Sequence, residues 1–269
     1  MYPWRCILLP TDFSTASEWV YDDAVRVAGT TGAEIVVLHV RRTWSDHPDE
    51  LRLPADPSVY EYAEQIELER VRDHIRRANA AINTRMIVRQ GPDAAAAIAS
   101  AVVAEQADLV VIATHARHHV AHLLVGSTTR SVLNDPPAPV LAARYGVRHR
   151  SSFNRKLVPV HLRQPAQPAL DLAVAMTRQD GGAVHLITVC SDDEKADAAE
   201  LLERLGTAAQ GVEVRQAVVS SSHVQREILR YAEREEIDAV FLNASENPGD
   251  VKIDIIRHAP SPVFIVPSQ

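Results

Sequence analysis

Gly126-Ser127-Thr128-Thr129 is the stretch of this chain best equipped to hold an anion. It follows the apolar run Leu109-Val110-Val111-Ile112 and opens a short helix predicted over 127–134. The first N–H groups of a helix have no partner inside it and carry the positive end of its dipole, so a phosphate is well received there. Arg117, His118, His119, His122 and Arg130 add cationic or polarisable groups nearby. Against this, a phosphate loop favours glycine where this chain has Ala113 and Ala116. Glycine serves where the backbone takes positive φ or a ligand approaches closely. A plainer reading makes Ser127 a helix cap and nothing more.

Two other constellations could do chemistry. His115, His118, His119 and His122 fall within eight positions and would share one face of a helix, which suits zinc or nickel. No cysteine or carboxylate joins them, so solvated or phosphate-facing imidazoles are the favoured reading and no metal is expected. Asp12 with Ser14 has the composition of an acid–nucleophile pair, but a helix cap fits the same residues. There is no Gly-x-Ser-x-Gly elbow and no phosphate loop with its lysine. Asp22, Asp23, Glu67 and Glu69 read as solvated helix faces. The expectation is a protein that binds without catalysing.

The elements that must position these residues are written twice. Residues 8–40 align with 157–189 without a gap: Pro10 matches Pro159, Ala24 Ala173, Gly32 Gly181 and Val40 Val189, all 149 apart. Asp108 matches Asp238 at an offset of 130, and Pro139 matches Pro262 at 123. Preserved order and spacing mark an internal duplication. In the first copy, apolar runs at 5–9, 34–40, 85–89, 108–113 and 139–143 read as strands, and 14–28, 58–82, 93–105 and 127–134 as helices. Continuous apolar strands alternating with helices predict a parallel sheet covered on both faces. The second copy is short by 19 residues between its second strand and Asp238, which predicts that most of the long second helix is missing there. The boundary falls in the polar stretch 145–156, giving domains 1–148 and 149–269.

Composition narrows the partners. The chain has 269 residues, 46% apolar and only 5% aromatic, so the cores must be aliphatic. A net charge of −7 argues against a nucleic-acid partner, which needs a basic face. Cys6 and Cys190 lie in apolar runs and read as core residues. The opening MYPWRCILLPTDFS is too short in apolar residues for a secretory segment, and no run approaches a membrane span. A soluble, cytoplasmic protein without a membrane partner is expected.

On the motifs ILLPTDFS, AEIVVLHV, QGPDAAAAI, ADLVVIATHA and GSTTRSVLNDPPAPVL, in that order, the chain resembles the universal stress protein family in its tandem form. The resemblance implies two five-stranded parallel α/β domains, Rossmann-like and related to the adenine nucleotide alpha hydrolases. It also implies a stress-response role, and many such proteins bind ATP at the carboxyl ends of their strands. Their signature is Gly-x-x-Gly, nine residues, then Gly-Ser or Gly-Thr. Here the two glycines fall on Ala113 and Ala116, while Gly126 and Ser127 match, followed by Thr128. The aspartate near the nucleoside falls on Asp12, and the residue whose backbone meets adenine on Val40. A non-glycine residue held left-handed costs about 1–2 kcal/mol, or roughly five- to thirtyfold in affinity if the strain falls on the bound state.

The second copy has His161 for Asp12, Asn243 for Ala113 and Asp250 for Ser127, with a loop seven residues shorter before Gly249. It is expected not to bind ATP. Three functions therefore compete: a nucleotide-binding stress module with a weakened site in the first copy, an interaction scaffold that binds no nucleotide, and metal binding by the loop histidines. Related single-copy proteins dimerise through their last strands. The short, uncharged strands 139–143 and 262–266 are expected to pair within this chain, packing the copies as a pseudo-dimer.

Overall fold

A computed structural model describes residues 2–42, 57–114, 125–144, 153–164, 166–244 and 250–267. Copy one runs β1 (Cys6–Thr11), α1 (Thr15–Trp19), α2 (Tyr21–Thr31), β2 (Glu34–Arg42), α3 (Pro57–Ala78), β3 (Thr84–Gly91), α4 (Ala94–Ala104), β4 (Leu109–Ala113), α5 (Ser127–Asn134) and β5 (Val140–Ala143). Copy two runs β6 (Arg155–Pro159), α6 (Gln167–Asp180), β7 (Ala183–Cys190), α7 (Lys195–Ala208), β8 (Glu213–Ser220), α8 (Val224–Arg234), β9 (Ala239–Asn243), α9 (Asp250–His258) and β10 (Val263–Val266).

Two expectations need correction. The helix predicted over 14–28 is two helices, α1 and α2, because the buried Val20 donates its N–H to Ser17 O, three residues back, and tightens the turn. The second copy shortens its long helix but keeps most of it. α7 has 14 residues against 22 in α3, and the connection leading into it is 191–194 against 43–56.

Element ends follow local chemistry. Ser14 caps α1 by accepting from Ser17 N, and Asp93 caps α4 by accepting from Ala95 N and Ala96 N. α2 stops at Gly32, whose φ of 76° places it in the left-handed region. The Asp108–Asp238 match has a structural cause. Asp108 accepts from the backbone N–H groups of Arg5 and Cys6, and Asp238 from that of Arg155, so each carboxylate clips the start of its copy's first strand. Cys6 and Cys190 are buried and free. Burial pushes the Cys6 thiol up to about 11, which leaves it unreactive at neutral pH.

All ten strands form one sheet in the order β3-β2-β1-β4-β5-β10-β9-β6-β7-β8. Each copy is parallel within itself, and the copies join through β5 and β10, which pair antiparallel with Leu141 opposite Phe264. The expected pairing of the two last strands is therefore present, and both strands are fully buried. The helices cover both faces, and each aliphatic layer is continuous across the junction. One layer holds Ile7, Leu141, Phe264 and Phe241, the other Leu8, Leu133, Ile255 and Ile265. Phe264 stacks on Phe241 at 4.7 Å between ring centres.

Polar contacts add to the junction. Tyr2 Oη donates to Asp180 at 2.5 Å, Lys252 Nζ to Leu133 O at 3.2 Å and Arg144 Nη1 to Arg257 O at 3.0 Å. The last two place a cation at the carboxyl end of a helix in the opposite copy, where the dipole favours it.

Candidate functional site

Because the sheet is parallel within copy one, the ends of β2, β1 and β4 lie side by side at one edge, bringing Val40, Asp12 and Ala113 into a row. At the end of β1, Thr11 Oγ1 is held by the Tyr21 hydroxyl at 2.6 Å and accepts from Phe13 N at 3.0 Å. Asp12 Oδ1 then accepts from Ser14 N at 3.1 Å, Ser14 Oγ at 2.5 Å and Ser17 Oγ at 2.6 Å. The Ser14 hydroxyl thus donates to Asp12 while accepting from the helix backbone. It is engaged as a cap, which is the plainer of the two sequence readings.

Strain in this loop falls on Phe13, whose φ is 59°. The compensation is its ring, stacked on His39 at 4.4 Å and 26°. His39 Nδ1–H donates to Thr11 O at 3.0 Å, which leaves Nε2 3.7 Å from Glu64 Oε2. Glu64 also accepts from Arg41 Nε and Nη2, and Glu61 from Arg41 Nη1. Those carboxylates hold the Arg41 guanidinium above its usual range. Neither the left-handed Phe13 nor its partner His39 was signalled by sequence pattern.

Ala113 carries no left-handed strain. It closes β4 as a buried strand residue, and its methyl belongs to an aliphatic layer. Thr129 Oγ1 donates to Ala113 O at 3.0 Å, tying α5 to the strand end. Gly126 is the N-cap residue of α5 and supplies no side-chain cap, while Arg130 N closes the first turn on Gly126 O. Ser127 is exposed and Thr128 half-buried, and the first-turn N–H groups of α5 receive no side-chain cap from Gly126. Ala116, Arg117 and the four clustered histidines lie outside the described residues. Among the described residues, no group of three or more His, Cys, Asp or Glu could hold a metal ion.

Copy two uses the same positions differently. His161, in the place of Asp12, accepts from Arg163 N at its Nδ1. Asn243, in the place of Ala113, turns its Oδ1 to Ala169 N at 2.8 Å in the first turn of α6. The N-cap residue of that helix is Ala166, whose methyl cannot cap it. Asn243 supplies the cap from a neighbouring strand. Replacing it with alanine is expected to cost about 1 kcal/mol. Urea unfolding of Asn243→Ala checks this; an unchanged midpoint would show that α6 needs no such cap.

A model described as the universal stress protein family matches residues 3–144 and again 152–267. A universal stress protein from Archaeoglobus fulgidus is 25% identical, with a TM-score of 0.77 over 97% of this chain and 98% of its own. A universal stress protein from Pseudomonas aeruginosa, described as putative in its published name, is 13% identical and shares the fold, with a TM-score of 0.63 over 98% and 94% of the two chains. Comparison with curated proteins gave no match.

Proposed function

The chain belongs to the universal stress protein family and carries its domain twice, and from that premise we propose that copy one binds an adenine nucleotide such as ATP without catalysis while copy two serves as its structural partner. The family supports a stress-response role. One observation carries the nucleotide reading: the start of α5 has no side-chain cap and stands beside the ends of β1 and β4, where Asp12 and the Ala113–Thr129 tie define a ledge. The phosphates would meet Gly126, Ser127 and Thr128, with Ala113 at the end of β4 beside them and Ala116 completing the set by motif spacing. The nucleoside would lie toward Asp12 and the Val40 backbone. The absence of strain at Ala113, whose methyl is buried in an aliphatic layer, removes one reason for a weak site.

Binding without turnover fits a Ser14 hydroxyl already engaged by Asp12 and the helix start. For copy two, Asn243 is committed to α6, and α9 begins with Asp250 where α5 begins with Ser127. That supports ATP binding in copy one alone. No described helix is long and apolar enough to cross a membrane. We place the protein in the cytoplasm, with neither membrane nor nucleic acid as a partner.

Calorimetry with ATP on the wild type, Gly126→Asp and Ser127→Asp tests the reading. The wild type should bind, and each variant should lose binding while remaining folded, because a carboxylate at the helix start repels phosphate yet suits the dipole. Wild-type affinity in the variants would move the ligand elsewhere. A wild type that takes up no nucleotide would favour the scaffold reading.

A further inference from the structure

At the junction of the copies, three buried polar atoms have no hydrogen-bond partner among the described residues: Arg144 Nε, Arg257 Nε and Ser261 Oγ. They come from one place in the fold. Arg144 follows β5 of copy one, and Arg257 ends α9 of copy two. Ser261 lies just before β10. The antiparallel pairing of Val263 with Ala142 and Phe264 with Leu141 brings Ser261 opposite Arg144 when continued by two residues. Arg144 Nη1 donates to the backbone carbonyl of Arg257 at 3.0 Å, which fixes the Arg144 side chain to the last turn of α9. Ser261 is more than nine-tenths buried.

Buried donors without acceptors are rare, and a cluster of them calls for an acceptor from outside the chain. These three groups can all donate, and two are guanidiniums. Each arginine uses Nη1 within the protein, Arg144 on a carbonyl and Arg257 at 3.6 Å from Asp254 Oδ1. The Nε side of both forks is left, and a fork edge is the geometry that meets two oxygens of one oxyanion. Burial lowers the Arg144 pKa and no acidic neighbour offsets the effect. Among the described residues, the opposing charge paired with these groups is the Asp254 carboxylate, together with the negative end of the α9 dipole, about half a charge. Two cations outweigh them.

We propose that Arg144 of copy one and Arg257 and Ser261 of copy two form an anion notch that takes a tetrahedral oxyanion of phosphate size. The notch stands at the carboxyl end of β5, next to the end of β4, because Ala143 pairs with Ala113 and accepts from Thr114 N. It draws ligands from both copies, so an anion there also ties them together. The notch shares no residue with the α5 start, and the proposal does not rest on the nucleotide reading. Free phosphate and the end of a nucleotide's phosphate chain present the same oxygens, and the experiment separates them.

The full chain is titrated with inorganic phosphate at constant ionic strength, by calorimetry and by the rise in melting temperature. The wild type should respond at millimolar phosphate. Arg257→Gln should weaken the response about tenfold or more, and Ser261→Ala about threefold to tenfold. Ser127→Asp removes whatever share of the response comes from the α5 start, and the Arg257 and Ser261 effects should persist in that background. If Arg257→Gln folds poorly, Ser261→Ala carries the test, since it removes one hydroxyl and no charge. Titrating Arg257→Gln with ATP names the source: lost affinity places a nucleotide phosphate in the notch, and retained affinity leaves free oxyanion as the occupant. No phosphate response in the wild type would overturn the proposal. So would a response abolished by Ser127→Asp and untouched by Arg257→Gln and Ser261→Ala.

Discussion

Replacing Lys156 with isoleucine should stabilise the protein at neutral pH by about 1–3 kcal/mol. Strand register places Lys156 where copy one has Ile7: Ile7 pairs with Leu109 and Lys156 with Ala239. The lysine is fully buried, donates to Gly181 O at 3.1 Å and is drawn toward Asp180 and Asp238. Burial outweighs that attraction and lowers its pKa from 10.5 to about 8. A shift of that size corresponds to a penalty of about 3 kcal/mol while both folded and unfolded chains hold the proton. The penalty is complete below pH 8. It falls away between 8 and 10.5, where the unfolded chain keeps its proton and the folded chain has lost it.

Wild-type stability should therefore gain on Lys156→Ile as pH rises through that window. Cys6, raised to about 11, and Tyr21, raised to about 12, act in the opposite direction in both proteins. The difference between the two urea curves, at pH 7.5 and pH 10, is the readout. A difference that does not change with pH would mean that Lys156 is solvated in the folded state.

Residues 1–148 expressed alone should not remain monomeric. Within the whole chain Val140, Leu141, Ala142 and Ala143 are at most 2% exposed, because β10 completes their ladder and Phe264 covers Leu141. Removing copy two opens that edge and bares the aliphatic layers above and below it. An uncharged, apolar edge is a template for another strand. The nearest available one is β5 of a second fragment, in the same antiparallel sense. Sedimentation of the fragment should find dimers or larger species. A stable, soluble monomer would mean that copy two is retained for some reason other than covering copy one.

The large features of this fold were legible because they repeat. Offsets of 149, 130 and 123 placed the strands, and α5 begins and ends as its residues suggested. What sequence hid was set by contacts between distant parts. Gln106 and Glu236, equivalent positions after α4 and α8, both adopt positive φ without being glycine. Nothing local announces that, since the roughly 1–2 kcal/mol involved is offset by packing elsewhere. Phe13 is left-handed because of a ring 26 positions away. Lys156 at a strand start carries no local sign of burial, and only the neighbouring strands show that it lies inside. Asn243 looked like a lost ligand residue, while its side chain caps a helix 74 residues earlier in the chain. At the candidate site, Asp12, Val40, Ala113 and Gly126–Thr128 were legible from motif spacing. Ala116, the remaining motif position, lies outside the described residues.

The β5–β10 ladder joins two halves of one polypeptide, with only 144–154 between Ala143 and Arg155. A pair of separate subunits associates by mass action and falls apart on dilution. Here each half meets the other at an effective concentration on the order of millimolar, whatever the amount of protein in the cell. Assembly of the sheet is then insensitive to expression level, and a scarce protein is as fully paired as an abundant one. Tethering also means that each half always meets the same unlike partner. Residues such as Lys252 and Arg144, whose hydrogen bonds cross the junction of unlike halves, can persist without ever having to suit a symmetric pair.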